Sequence, residues 1–353
     1  MSISGLFSCV FSLLLYTDIE FIALLPCSAL LPHFALFSLI MFMIGVFDSG
    51  LGGLTVLKEI RRVLPEYDYM YLGDTLHVPY GNRSDEAVYN LTKKACEYLF
   101  SQGCKLIILA CNTATAKALR RLQKEYLPAR SHFQMNRVGG PSLTPAFPRS
   151  PSPFFVNILG VVRPMAEYVG TLGRRNIGVI GTRGTVNSKV YVVELKGQRS
   201  RGKGQKQGQD INSKNKNPQT GEGELQVFQQ ACPLLVPLIE EGWQRSKEID
   251  SILNYYLEPL RRAKVEILVL GCTHYPLLLN QIKKIMGPRC FIPNPGSIVA
   301  KSLRDYLSRH DEIRKQLTRN SKVKYFVTDL NENFEKVARR FIGKKIQIKL
   351  VKY

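Results

Sequence analysis

The sequence lacks the patterns that most metal, nucleotide and disulfide frameworks need. Its eight cysteines, spread over 353 residues, include no C-x-x-C, and its five histidines include no pair at ligand spacing. That excludes the common zinc and thioredoxin-like patterns, and the cysteine density is far below that of a disulfide-stapled domain. There is no G-x-G-x-x-G and no Gly-Lys-Ser/Thr, so the two usual phosphate cradles are missing. No lysine or arginine precedes Lys58, so the apolar start of the chain has no basic n-region and makes a poor secretory signal.

What is present is a globular composition, 45% hydrophobic and 22% charged, on a chain long enough for two domains. The net charge of +21 is unevenly placed. Residues 301–353 and 196–222 carry most of the excess, and the remainder is only mildly basic. Such charge reads as solvated loops and a tail. The segment 196–222 has no aromatic to stack on a base, and no specific nucleic-acid partner is expected. Three segments read as additions. Residues 1–43 form an atypical hydrophobic N-terminal extension; Phe21 to Phe47 is long enough to span a bilayer, but Pro26 and Pro32 interrupt it. The run also flows into Ile44–Phe47, which reads as a buried strand, so an extension without a folding role is favoured over membrane contact through 1–43. Residues 129–155, rich in Pro, Ser and Arg, and 196–222, almost without large apolar residues, read as flexible insertions.

The rest alternates short apolar runs with amphipathic stretches. Strands are expected at Ile44–Phe47, Tyr69–Leu72, Leu106–Ala110, Ile177–Ile180 and Ile267–Leu270, with helical patterns at Leu54–Val63, Ser84–Gln102 and Ala114–Glu125. That order predicts parallel sheets covered on both faces. Two pairs of runs match: IGVFDSG at Ile44 with IGVIGTR at Ile177, and LIILACNT at Leu106 with ILVLGCTH at Ile267. Asp48 precedes Cys111 by 63 residues; its counterpart Gly181 precedes Cys272 by 91, or 64 without the polar segment 196–222. The expectation is an α/β fold of two pseudo-symmetric three-layer domains, with parallel sheets facing one cleft. Ligands of open α/β sheets bind at the carboxyl ends of strands, which would set Cys111 and Cys272 across that cleft.

A thiol at the end of an apolar strand, followed by a helix start, is placed for activation, because helix N–H groups favour the thiolate. Cys111 is followed by Asn112 and Thr113, and Cys272 by Thr273 and His274; each pair supplies donors for a carboxylate or amine. Cys9, Cys27, Cys96, Cys104, Cys232 and Cys290 read as buried small hydrophobes. Two equivalent thiols suit a symmetrical reaction, in which one removes a proton from one face of a carbon and the other returns a proton to the opposite face. Around them stand Asp48 and Ser49 in FDSGLGG, Tyr80 and Gly81 in GDTLHVPYG, and one carboxylate of Glu240 and Glu241 in ACPLLVPLIEEGW. His77 reads as a loop histidine with a structural partner. A binding protein on the same fold would show the loss of one thiol, and neither is missing.

FDSGLGG, GDTLHVPYG, ACNTATA, ACPLLVPLIEEG and GCTHYPLL, in this order, resemble the glutamate racemases, and the resemblance runs from about Ile44 to the end apart from the two insertions. It implies cofactor-independent interconversion of L- and D-glutamate in the cytoplasm for peptidoglycan, no metal, and a homodimer. It carries the catalytic roles to Cys111 and Cys272, assisted by Asp48, His274 and Glu240. It carries substrate binding to Asp48, Ser49, Tyr80, Gly81, Asn112, Thr113, Thr273 and His274. It divides the chain into a first domain of 44–135 with 296–353, and a second of 156–295. The run Pro293-Asn294-Pro295-Gly296 departs from the family's Asp-Ser-Gly-like pattern there. A related racemase acting on aspartate is the neighbouring alternative, since pocket groups choose the side chain.

Overall fold

The computed structural model describes residues 42–128, 155–205, 224–330, 338–339 and 347–353. The extension 1–41 and the insertion residues 129–154 and 206–222 lie outside them. From Phe42 the chain builds one body with two parallel sheets.

The first lobe opens with strand β1 (Met43–Asp48), helix α1 (Gly53–Val63), strand β2 (Tyr69–Gly73), helix α2 (Asp85–Ser101), strand β3 (Cys104–Leu109), helix α3 (Asn112–Arg121) and strand β4 (Asn157–Gly160). The α2 start is written in the sequence: the Ser84 side chain accepts from the Ala87 N–H, and Asp85 and Glu86 sit in the positive first turn. The second lobe runs through α4 (Val162–Thr171), β5 (Asn176–Gly181), α5 (Arg183–Asn187), α6 (Val190–Gln205), β6 (Gln226–Ala231), α7 (Leu235–Glu240), α8 (Lys247–Arg262), β7 (Ile267–Gly271) and α9 (Leu279–Met286). The chain then returns to the first lobe with α10 (Pro295–Arg309), α11 (Asp311–Arg314), β8 (Val323–Val327) and β9 (Ile348–Leu350). Strand order is β4-β3-β1-β2-β8-β9 in the larger sheet and β6-β5-β7 in the smaller. In the smaller sheet successive side chains enter opposite cores: Ile267 and Val269 join one cluster, Leu268 and Leu270 the other. That is the signature of a sheet covered on both faces.

The duplication seen in the sequence is repeated in the pairing register. Ile44 pairs with Leu106, and their counterparts Ile177 and Ile267 pair in the same way. Phe47 lies opposite Leu109 and Ile180 opposite Leu270, so each thiol stands two residues beyond an equivalent pair. A third correspondence, hidden in the sequence, appears on the other edge. β2 pairs with β1 as β6 pairs with β5, which sets Gly73 opposite Asp48 and Ala231 opposite Gly181. The loops that follow, DTLHVP and CPLLVP, then share Leu, Val and Pro at matching places.

Two expectations differ from the structure. β4 belongs to the larger sheet, paired with β3, so residues 157–160 stand with the first lobe rather than after a boundary at 156. The segment 196–222 does not start as a loop, because α6 continues to Gln205. Its polar composition argues against burial, not against extending a helix already nucleated by the packed Tyr191 and Leu195. The departing run 293–296 forms a helix start, where Asn294 Oδ1 accepts from the Ser297 N–H and Pro295 opens α10.

Candidate active site

β1 carries Asp48 to the floor of the cleft, fully buried. Its Oδ1 accepts from the Gly50 N–H (3.0 Å), and its Oδ2 accepts from Thr273 Oγ1 of the other lobe (3.1 Å). Burial pushes this carboxyl above its ordinary range, against the opposing pull of the His274 charge, the Gly50 and Gly53 N–H groups and the Thr273 hydroxyl. Tyr71 Oη donates to the Gly50 carbonyl (2.6 Å), which fixes the turn that presents that N–H.

Cys111 ends the β3 run and is itself the N-cap of α3. Its sulfur accepts from the Ala114 N–H (3.4 Å) and lies 3.4 Å from Ser49 Oγ. The helix start was expected to favour the thiolate. Both of these bonds do so, yet burial and the nearby Asp48 charge outweigh them, and the thiol is pushed up to about 12. Cys111 therefore carries its proton at neutral pH.

The second thiol has a different surrounding. Cys272 Sγ is 3.7 Å from His274 Nδ1, and His274 Nε2 is 2.9 Å from Glu240 Oε1. Burial pulls the imidazole down, but the sulfur and the carboxylate on either side outweigh it and hold its pKa well above the ordinary value. Glu240, at the end of α7, is the carboxylate that meets His274, and the neighbouring Glu241 is exposed. The thiol, imidazole and carboxylate form a chain from the cleft toward solvent.

Both thiols line one small cavity, together with Ser49, Pro79, Tyr80, Gly81, Asn112, Thr113, Thr182, Val236, Thr273 and His274. Every expected site residue except Asp48 and Glu240 is on that wall, and those two touch Thr273 and His274 behind it. The Tyr80 hydroxyl does not face the cavity as a free donor; it donates to buried Asp74 Oδ2 (2.6 Å). His77 pairs with the same carboxylate (2.8 Å), as a structural partner. The four other described cysteines, Cys96, Cys104, Cys232 and Cys290, are buried and raised by that burial.

Sequence reasoning missed a hydroxyl cluster. Thr113 Oγ1 lies 2.9 Å from Thr182 Oγ1 and 3.3 Å from Thr185 Oγ1, joining α3 to the start of α5. The duplication held the signal, since Thr182 is the counterpart of Ser49. Gly81 closes against this cluster, where an added Cβ would lie 2.5 Å from Thr182 Cβ. Gly81→Ala is expected to cost about 1–3 kcal/mol of stability through that overlap. Denaturant midpoints measure it, and an unchanged midpoint would show that Thr182 has room to move.

No protein-family model matches the chain. It is 35% identical over 304 residues to the glutamate racemase of Geobacter metallireducens, covering 86% of this chain and 93% of that protein. Among solved structures, a glutamate racemase from Bacillus anthracis superposes with a TM-score of 0.68 at 29% identity, over 89% of this chain and 98% of the other. The glutamate racemase of Francisella tularensis, solved in complex with D-glutamate, gives 0.67 at 26%, over 89% and 98%. With two thiols brought to one cavity by a duplicated α/β unit, and with relatives alike over most of their length, this chain belongs to the glutamate racemase family.

Proposed function

We propose that the protein interconverts L- and D-glutamate without a cofactor, with Cys111 and Cys272 as the two bases, and that it supplies D-glutamate for peptidoglycan in the cytoplasm. The observation that carries this is the cavity lined by both sulfurs, one from each lobe. The ligand of the Francisella relative is the same class of molecule. Among the described residues no helix is long and apolar enough to cross a membrane.

The chemical difficulty is the weak acidity of the hydrogen on Cα. One sulfur, as thiolate, takes that hydrogen as a proton, and the electron pair moves onto the carboxylate oxygens. Donors fixed in advance around those oxygens stabilise the charge as it develops; in this reading the Asn112 amide and the backbone N–H groups of Thr113 and Thr273 do so. The opposite thiol then gives its proton to the other face of Cα. The substrate is inverted, and the two sulfurs have exchanged protonation states. His274 with Glu240 on one side, and Asp48 on the other, return the protons to their starting places. Burial and Asp48 favour the protonated form of Cys111, and the sulfur and carboxylate beside His274 raise the pKa of its imidazole. The hydroxyls of Thr113 and Thr182, both on the cavity wall, suit the side-chain carboxylate of a dicarboxylic amino acid, with Thr185 behind them. A homodimer is part of the proposal and is read by sedimentation.

The assay is loss of circular dichroism of L-glutamate with purified full-length protein, without added cofactor and with a chelator present. Racemisation of glutamate over aspartate is the expected result. No change with glutamate, or inversion of aspartate alone, overturns the reading.

A further inference from the structure

The residues that follow the two thiols, Asn112 and Thr273, each meet a side chain of the opposite lobe. Thr273 donates to Asp48 of the first lobe. Asn112 Oδ1 accepts from Tyr191 Oη of the second lobe at 2.7 Å. The first contact belongs to the machinery above; the second has no part in it. Tyr191 is 1% exposed and sits on α6, with its ring behind the Cys272 strand: an added Cβ at Gly271 would lie 3.1 Å from Tyr191 Cε2. Burial and the neighbouring Cys272 raise its phenol far above its ordinary range. It is therefore a permanent O–H donor, and a buried phenol needs an acceptor.

Asn112 forms part of two walls. It lines the cavity that holds both thiols, and it lines a second, very small cavity shared with Tyr191 and Cys272. An asparagine amide presents an acceptor on one side and two donors on the other, and turning it over exchanges them. Turned the wrong way, its carbonyl would face the substrate carboxylate and repel it.

We propose that Tyr191 is a positioning residue for racemisation: by donating to Asn112 Oδ1 it holds the amide with its N–H2 group toward the two thiols, where that group binds the substrate carboxylate. The proposal rests on the reading of Asn112 as a substrate-binding residue. It also ties the site to both lobes, since the residue that orients Asn112 comes from the lobe that carries the other thiol.

The test is a double-mutant cycle on kcat and KM with Tyr191→Phe, Asn112→Ala and the pair, with the glutamate-induced shift in Tm as a binding readout. Tyr191→Phe is expected to lower kcat/KM about tenfold, because the freed Asn112 amide no longer holds its hydrogen bond to the charged substrate carboxylate. Asn112→Ala should cost at least as much, and the pair no more than Asn112→Ala alone. Equal losses from Tyr191→Phe in both backgrounds would mean a structural role and overturn the proposal. A fully active Tyr191→Phe beside an impaired Asn112→Ala overturns the proposal alone, whereas a fully active Asn112→Ala removes the reading of Asn112 as well. Asn112→Asp keeps the acceptor for Tyr191 and loses the donor. It should fold with a near-normal Tm and be as inactive as Asn112→Ala, whether or not Tyr191→Phe folds. Activity retained in Asn112→Asp would also overturn the proposal.

Discussion

Cys111→Ala and Cys272→Ala should each lower racemisation by roughly 10²–10⁴-fold, the range for a positioned acid or base. Each change removes the positioned acid or base on one face, so inversion must proceed without it. The equilibrium constant between enantiomers is one, so kcat/KM must fall by the same factor in both directions. The partial reaction is not bound by that symmetry. With one thiol left, exchange of the Cα hydrogen with solvent should persist for one enantiomer and vanish for the other, and the two variants should show opposite preferences. Cα exchange followed by proton magnetic resonance reads this. Either variant racemising at the wild-type rate would remove the two-base reading. The sulfurs are buried in a small cavity, so both variants should remain folded.

Glu240→Gln should lower kcat/KM by roughly 10²-fold, near the lower end of acid–base contributions. The carboxylate does not touch the cavity; it holds the His274 proton on the far side of the imidazole from Cys272. The change should also appear as a pH-dependent loss of stability. His274 has its folded pKa raised, so its contribution is fully present below its unfolded value of about 6.5 and is lost as pH rises through the folded value. The Tm difference between wild type and Glu240→Gln is therefore expected to be largest near pH 5–6.5, while an ordinary glutamate is still ionised, and to shrink as pH rises. A difference that grows with pH would mean that His274 is neutral in the folded protein.

Much of this was legible because strand ends and chemistry coincide. The runs IGVFDSG and LIILACNT are apolar enough to be buried strands, and the polar residues that break them are the site residues. Their repetition at IGVIGTR and ILVLGCTH reported even the register. The third pair of strands was less visible, because β6 reads QVFQQA, more polar than its counterpart YMYLG at β2. Thr182, Thr185 and Tyr191 were missed for another reason. GTRGT reads as an ordinary helix start, and Thr182 does cap α5. The same hydroxyl faces Thr113, a contact 69 positions away that only the fold brings together. The state of Cys111 was beyond the sequence too, since helix position argues for the thiolate and full burial beside Asp48 decides the other way.

The central claim is that two separate groups handle the departing and the arriving proton. It is tested most directly by racemising L-glutamate in D2O and reading the Cα position of substrate and product in the first few per cent of reaction. Newly formed D-glutamate is expected to carry deuterium at Cα from the start, while the remaining L-glutamate still carries protium. Product that keeps the substrate's own hydrogen would show a single base returning the proton it took, and would contradict the two-base mechanism.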